Sequence, residues 1–212
     1  MYKKEAAKLE QQQTGKRSIA LPITLVILVF SLIGNVFLYS QFLQHIQAQK
    51  FVKGQGIYAA ASESRQFLEE MIPQLDSLLQ SKSMEERLAL KFDAGKLTAN
   101  GRALVELTAE AAGISAEPDK LDSNLPKSYL NDVENGLQII GRYDGPLNEA
   151  ERAYILGLKS SFEAMSGIMK GFNTNIADNR SAVIRLSSGL DWIELVMKLQ
   201  QLMLEQPAKL AA

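Results

Sequence analysis

The chain has 212 residues, with 23 Lys and Arg, 24 Asp and Glu, one His and no Cys, and a formal net charge of −1. Without cysteine it is not a disulfide-stapled domain and lacks the usual ligands of structural zinc. The near-neutral balance carries no basic excess of the kind nucleic-acid binders show, and the 46% hydrophobic content argues against wholesale disorder.

Residues 1–17 carry five basic side chains: Lys3, Lys4, Lys8, Lys16 and Arg17. They read as a short polar tail. From Ile19 to Tyr39 no residue is charged. As a helix, that run covers about 31 Å, enough to cross a hydrocarbon core of about 30 Å. The predicted transmembrane helix is therefore 18–40. A cleaved signal peptide is the rival reading, but its apolar core is shorter and ends at a small-residue site. Here Ser40-Gln41-Phe42-Leu43 follows instead. Lys16 and Arg17 at the membrane edge are the topology determinants. They predict a cytoplasmic N-terminus and an extracytoplasmic remainder. Beyond the tail, 18 basic and 22 acidic residues remain. A mildly acidic, cysteine-free domain on an oxidising side fits a bacterial cell envelope.

Residues 41–82 read as a continuing juxtamembrane helix. Leu68, Met71, Ile72, Leu75, Leu78 and Leu79 recur at helical spacing. Gly54 and Gly56 are expected to form a hinge. Residues 83–212 read as a helical bundle that packs with 57–82. Ser83 with Glu86 forms a capping-box pattern and starts a helix through Leu88 and Phe92. Gly95 and Asn100-Gly101 are expected to divide it from a helix carrying Leu104, Leu107 and Ala111. Residues 113–126 read as a loop and 127–140 as a helix. Asn148 and Glu151 form a second capping box, opening a helix with Ile155, Leu158, Phe162, Met165, Met169 and Phe172 on one face. Asp191 is expected to cap the last helix, and Pro207 to end it. No stretch alternates as a strand does. The fold class is thus all-α: a single N-terminal transmembrane helix followed by an extracytoplasmic antiparallel helical bundle.

No residue reads as catalytic, cofactor-binding or metal-binding. Gly54-Gln55-Gly56-Ile57-Tyr58-Ala59 spells a dinucleotide fingerprint but lacks the strand that must precede it. Asp119, Asp122 and Asn124 fail the calcium-loop pattern, since Lys127 and Val133 stand where Gly and Glu are needed. The pairs Glu69/Glu70, Glu85/Glu86 and Glu149/Glu151 read as helix surfaces and caps. His45 has no second ligand. Phe162, Met165, Met169, Phe172, Trp192, Met197 and Met203 read as core rather than as a ligand pocket. Within the apolar run, Ser31, Gly34 and Asn35 share a face suited to transmembrane self-association.

Pro146-Leu147-Asn148-Glu149 opens a long helix, and Asp191-Trp192-Ile193-Glu194-Leu195-Val196 opens a Trp-bearing one. With a single anchor ahead of them, this arrangement resembles the N-terminal helical region of YpeB-type spore germination proteins. The resemblance implies a non-enzymatic partner of a cortex-lytic enzyme. Those proteins continue into C-terminal repeat domains, which departs from this sequence, so no partner-binding residue is carried over.

The expected function is that of a non-enzymatic accessory or scaffold subunit of a bacterial envelope complex. Its expected partners are the lipid bilayer, another envelope or membrane protein, and a second copy as homodimer; nucleic acid and cofactors are not expected. The alternative is an extracytoplasmic ligand-binding sensor that signals through a partner.

Overall fold

The computed structural model describes residues 20–206, and the regular structure among those residues is all helical, with no strand. The tail with Lys16 and Arg17, and the stop at Pro207, lie outside the described residues. Seven α-helices occur in the order α1 (Ala20–Gln80), α2 (Met84–Asn100), α3 (Arg102–Ile114), α4 (Leu125–Ile139), α5 (Glu149–Met169), α6 (Arg180–Leu186) and α7 (Ile193–Glu205), with a 3₁₀ turn at Pro118–Lys120. The chain divides into two compact units, Met1–Gln47 and Ala48–Ala212.

In the first unit, α1 is apolar and uncovered. Leu21, Leu25, Ile27, Phe30, Ile33 and Phe37 are all more than half exposed. By length and composition this helix can cross a membrane. Thr24 donates to the Ala20 carbonyl at 2.8 Å, so its hydroxyl is satisfied within the helix.

The second unit has one hydrophobic core. The α1 residues Gly54, Ile57, Ala61, Ser64, Leu68, Met71, Leu75 and Leu78 are buried. Their alternating steps of three and four keep one stripe of the helix facing the core. Ile155, Leu158, Phe162, Met165 and Met169 of α5 form a matching stripe. Phe67 meets Phe162 edge to face, with ring centroids 5.6 Å apart. Trp192, 2% exposed, donates its indole N–H to the Leu186 carbonyl at 2.9 Å. The aromatic and methionine set is therefore core, with Met197 partly buried against it.

Several boundaries differ from expectation. α4 starts at Leu125, because Pro126 sits in the first turn, where a missing N–H costs little. The segment before it is tied down rather than loose: the Gln200 side-chain amide accepts from the Asp122 N–H at 3.0 Å and donates to its carbonyl at 2.6 Å. Asp191 does not cap the last helix. It takes φ +71°, Trp192 occupies the cap position, and the Asp191 carboxylate pairs with Arg185 at 2.7 Å. A left-handed residue turns the chain tightly enough to bury the indole, and Asp tolerates that geometry better than most. The Ser83 box is half-formed. Ser83 Oγ accepts from the Glu86 N–H at 3.2 Å, while the Glu86 carboxylate accepts from Lys82 N–H instead of the cap's own. The Asn148–Glu151 box is complete.

Gly54 and Gly56 both lie inside α1. A Cβ on Gly54 would stand 2.0 Å from the Val183 carbonyl oxygen, so α1 and α6 approach closely there. A Cβ on Gly56 meets nothing within 4 Å. Gly54→Ala should lower unfolding stability by about 1–3 kcal/mol through overpacking. Gly56→Ala should raise it by up to about 1 kcal/mol through helix propensity. Thermal unfolding of the full chain in detergent reads both signs.

Candidate docking groove

The segment between α4 and α5 contains Gly141-Arg142-Tyr143-Asp144-Gly145-Pro146. Such a segment exposes carbonyls that no helix satisfies. Arg87, on the first turn of α2 and fully buried, supplies the donors. Its Nε donates to the Gly141 carbonyl at 3.1 Å. Nη1 donates to the Gly145 carbonyl at 2.8 Å and, more weakly, to Ser81 at 3.5 Å. Nη2 donates to the Tyr143 carbonyl. The planar five-donor guanidinium suits this cage, and a lysine ammonium would not. The guanidinium carbon also sits 5.5 Å from the Tyr143 ring centroid.

Glu151 closes the network from the other side. Its carboxylate accepts from the Gly141 N–H at 2.7 Å, from the Tyr143 hydroxyl, and from the Asn148 N–H at 3.2 Å. Burial alone would raise its pKa. Those three donors and the Arg87 charge outweigh burial and hold it below the ordinary carboxylate value. Met84 N–H donates to Asp144 Oδ1 at 3.0 Å and Gly145 N–H to the Lys82 carbonyl at 3.2 Å. The start of α2 and the α4–α5 segment are thus stitched together. Gly141 is left-handed at φ +57°, and a Cβ there would come 2.5 Å from the Arg87 side chain, so only glycine fits.

Above this clasp lies a groove of about 1140 Å³. Its α2 wall presents Met84, Leu88 and Phe92, spaced by four and therefore on one face. Leu88 and Phe92 are 66% and 65% exposed and lie one turn apart, so their side chains join into one apolar patch. Leu137 forms part of the opposite wall, with Gly141 at one end. The charged margin is mixed: Glu85 and Glu134 against Lys91, Lys96 and Arg142. Lys91 donates to the Ile140 carbonyl, and Arg142 Nε to Gln138 at 3.1 Å, so both cations neutralise the C-terminal end of α4. Burial, reinforced by the Arg142 and Arg87 charges, lowers the Lys91 pKa. Lys96 lies 4.2 Å over the Phe92 ring and 3.7 Å from Asp93.

The other sequence candidates lie apart from this groove, Glu85 and the Glu151 clasp excepted. His45 is exposed and Asp122 organises a turn through the Asn124 N–H at 2.8 Å. Glu69 pairs with Arg65 at 2.9 Å and Glu70 accepts from Gln66 at 2.7 Å. Ser31, Gly34 and Asn35 sit on α1 in the first unit, with Ser31 and Asn35 exposed. Among the described residues no group of three or more His, Cys, Asp or Glu is placed to hold a metal ion. Sequence reading missed Arg87 altogether and took Leu88 and Phe92 only as helix pattern. An arginine directly after Glu85 and Glu86 in a capping turn looks like any solvated cation until the carbonyls it meets are known. Comparison with protein-family models, with curated proteins and with solved structures finds no match.

Arg87→Met strands these carbonyls and should cost about 3 kcal/mol or more in unfolding free energy. Arg87→Lys should recover less than half of that loss by chemical denaturation. Because the folded pKa of Glu151 is depressed, its contribution is present above the unfolded carboxylate pKa and is lost as pH falls through the lower folded value. Glu151→Gln should therefore be less stable than wild type at neutral pH, and the gap should close as pH falls below 4.5. Melting temperatures across that window measure it.

Proposed function

We propose that this protein is a non-enzymatic, membrane-anchored accessory or scaffold subunit of a bacterial envelope complex. The exposed Met84–Leu88–Phe92 face in the α2–α4 groove is the observation that carries the reading. Leaving large apolar side chains in water is costly, at about 25 cal/mol per Å² of apolar surface, and a protein surface that covers them recovers it. The groove shape, apolar floor and polar rim match the way proteins receive a helix. Arg87 fixes one wall, so little order has to be created on binding.

In this reading α1 anchors the chain in the bilayer with its N-terminus cytoplasmic, as Lys16 and Arg17 favour. The helices of the second unit form an antiparallel bundle outside the membrane. Anchoring confines groove and partner to one surface and raises their effective concentration. Ser31, Gly34 and Asn35 would add contacts inside the bilayer. The likeness to YpeB-type proteins points the same way, toward partnership with an envelope protein rather than catalysis.

A photo-cross-linking residue at position 92 tests the reading in native membranes. It should yield a discrete protein adduct, and the same residue at exposed position 102 on α3 should not. Equal labelling from both positions, or none from 92, would overturn groove-directed docking.

A further inference from the structure

We infer that the occupant of the α2–α4 groove is the same groove of a second copy of this chain, with the two α2 helices packed antiparallel about a two-fold axis near residue 90. The inference rests on the groove being a protein-docking surface. What selects a second copy is the order of residues along α2. On the exposed face they run Met84, Glu85, Leu88, Phe92, Gly95 and Lys96, from an acidic start to a basic end. A helix laid against its own reversed copy pairs positions whose numbers sum to about 180. Leu88 then meets the partner subunit's Phe92, and Phe92 meets the partner subunit's Leu88. Glu85 lies beside the partner subunit's Gly95 and Lys96. The apolar centre is self-complementary and an opposite-charge pair flanks it at each end.

Two further observations favour this occupant. A Cβ on Gly95 would meet nothing within 4 Å, so the surface opposite Glu85 is open and small. The margin also mixes signs, with Glu85 and Glu134 against Lys91, Lys96 and Arg142. A uniformly acidic occupant would be repelled by the two carboxylates, and a uniformly basic one by the three cations. A like surface satisfies both, which is the property an isologous interface requires. Lys96 is 63% exposed, and its contacts with Asp93 at 3.7 Å and the Phe92 ring at 4.2 Å are solvated, so little is lost when Lys96 turns to Glu85 across the interface.

The chain contains no cysteine, so engineered thiols report alone. The full-length protein in lipid nanodiscs, loaded at two or more chains per disc, would carry Glu85→Cys, Lys96→Cys or both. Within one α2 helix these positions are about 16 Å apart, beyond the reach of a disulfide. In the antiparallel pair each single cysteine is also about 16 Å from its own copy, while 85 and 96 of different copies adjoin. Mild oxidation should therefore give covalent dimer from the double variant and from a mixture of the two single variants. Either single variant alone should stay monomeric. Both positions are exposed, and circular dichroism verifies the helical fold of each variant. Dimer from each single variant as readily as from the double would overturn the antiparallel register. Absence of dimer from the double variant would overturn self-docking. If the position-92 adduct then contains a different protein, the docking role stands and only the second copy is excluded; if there is no adduct, both fall.

Discussion

A buried guanidinium has to be surrounded by acceptors, and Arg87 meets that demand with the carbonyls of one short segment. Desolvating such a charge costs several kcal/mol, which only well-aimed hydrogen bonds and nearby negative charge offset. Gly141, Tyr143 and Gly145 supply the carbonyls and Glu151 the charge. The constraint acts both ways. Arg87 dictates the path of the α4–α5 segment, and that path fixes where α2 begins, through Lys82 and Met84. It also fixes where α5 begins, through Asn148 and Glu151. The α2 face that looks over α4 is positioned by the same contacts, so the groove inherits its shape from one buried charge.

Three settings of apolar surface stand out among the described residues. In the second unit, Ile57, Leu68, Phe162 and Trp192 are removed from water by one another. Along the first part of α1, Leu21 to Phe37 are exposed as a continuous band, the arrangement a bilayer accommodates. At Leu88 and Phe92 a small patch is left uncovered between charged margins. On the proposed reading, lipid covers the bilayer-sized band and a protein covers the helix-sized patch. The proposed scaffold role combines the two: one surface localises the chain and the other selects what it meets.

Much of the architecture was legible in the order of residues. The uncharged run from Ile19 to Tyr39 stands out by composition, and the core stripes of α1 and α5 are periodic over many turns, so local pattern determines both. The Asn148 cap was equally readable, because both its partners lie within three residues. Boundaries set by distant contacts were not. Asp191 looked like a cap, but burying Trp192 against the Leu186 carbonyl decides the turn. Pro126 looked like the end of a loop and instead opens a helix. The glycine pair at 54 and 56 reads alike in sequence, yet only Gly54 faces the Val183 backbone. The groove was invisible for the same reason. Periodicity shows that Leu88 and Phe92 share a face, but only tertiary structure shows that no other helix among the described residues covers it.

Hydrogen exchange of the wild-type full-length chain tests the central claim most directly. If the Arg87 network fixes this segment, the N–H groups of Gly141, Gly145 and Asn148 should exchange slowly and together, protected like helix amides although they lie between helices. Exchange of all three at the rate of an open loop would contradict the account, because a groove wall free to unfold could not present a preformed docking surface.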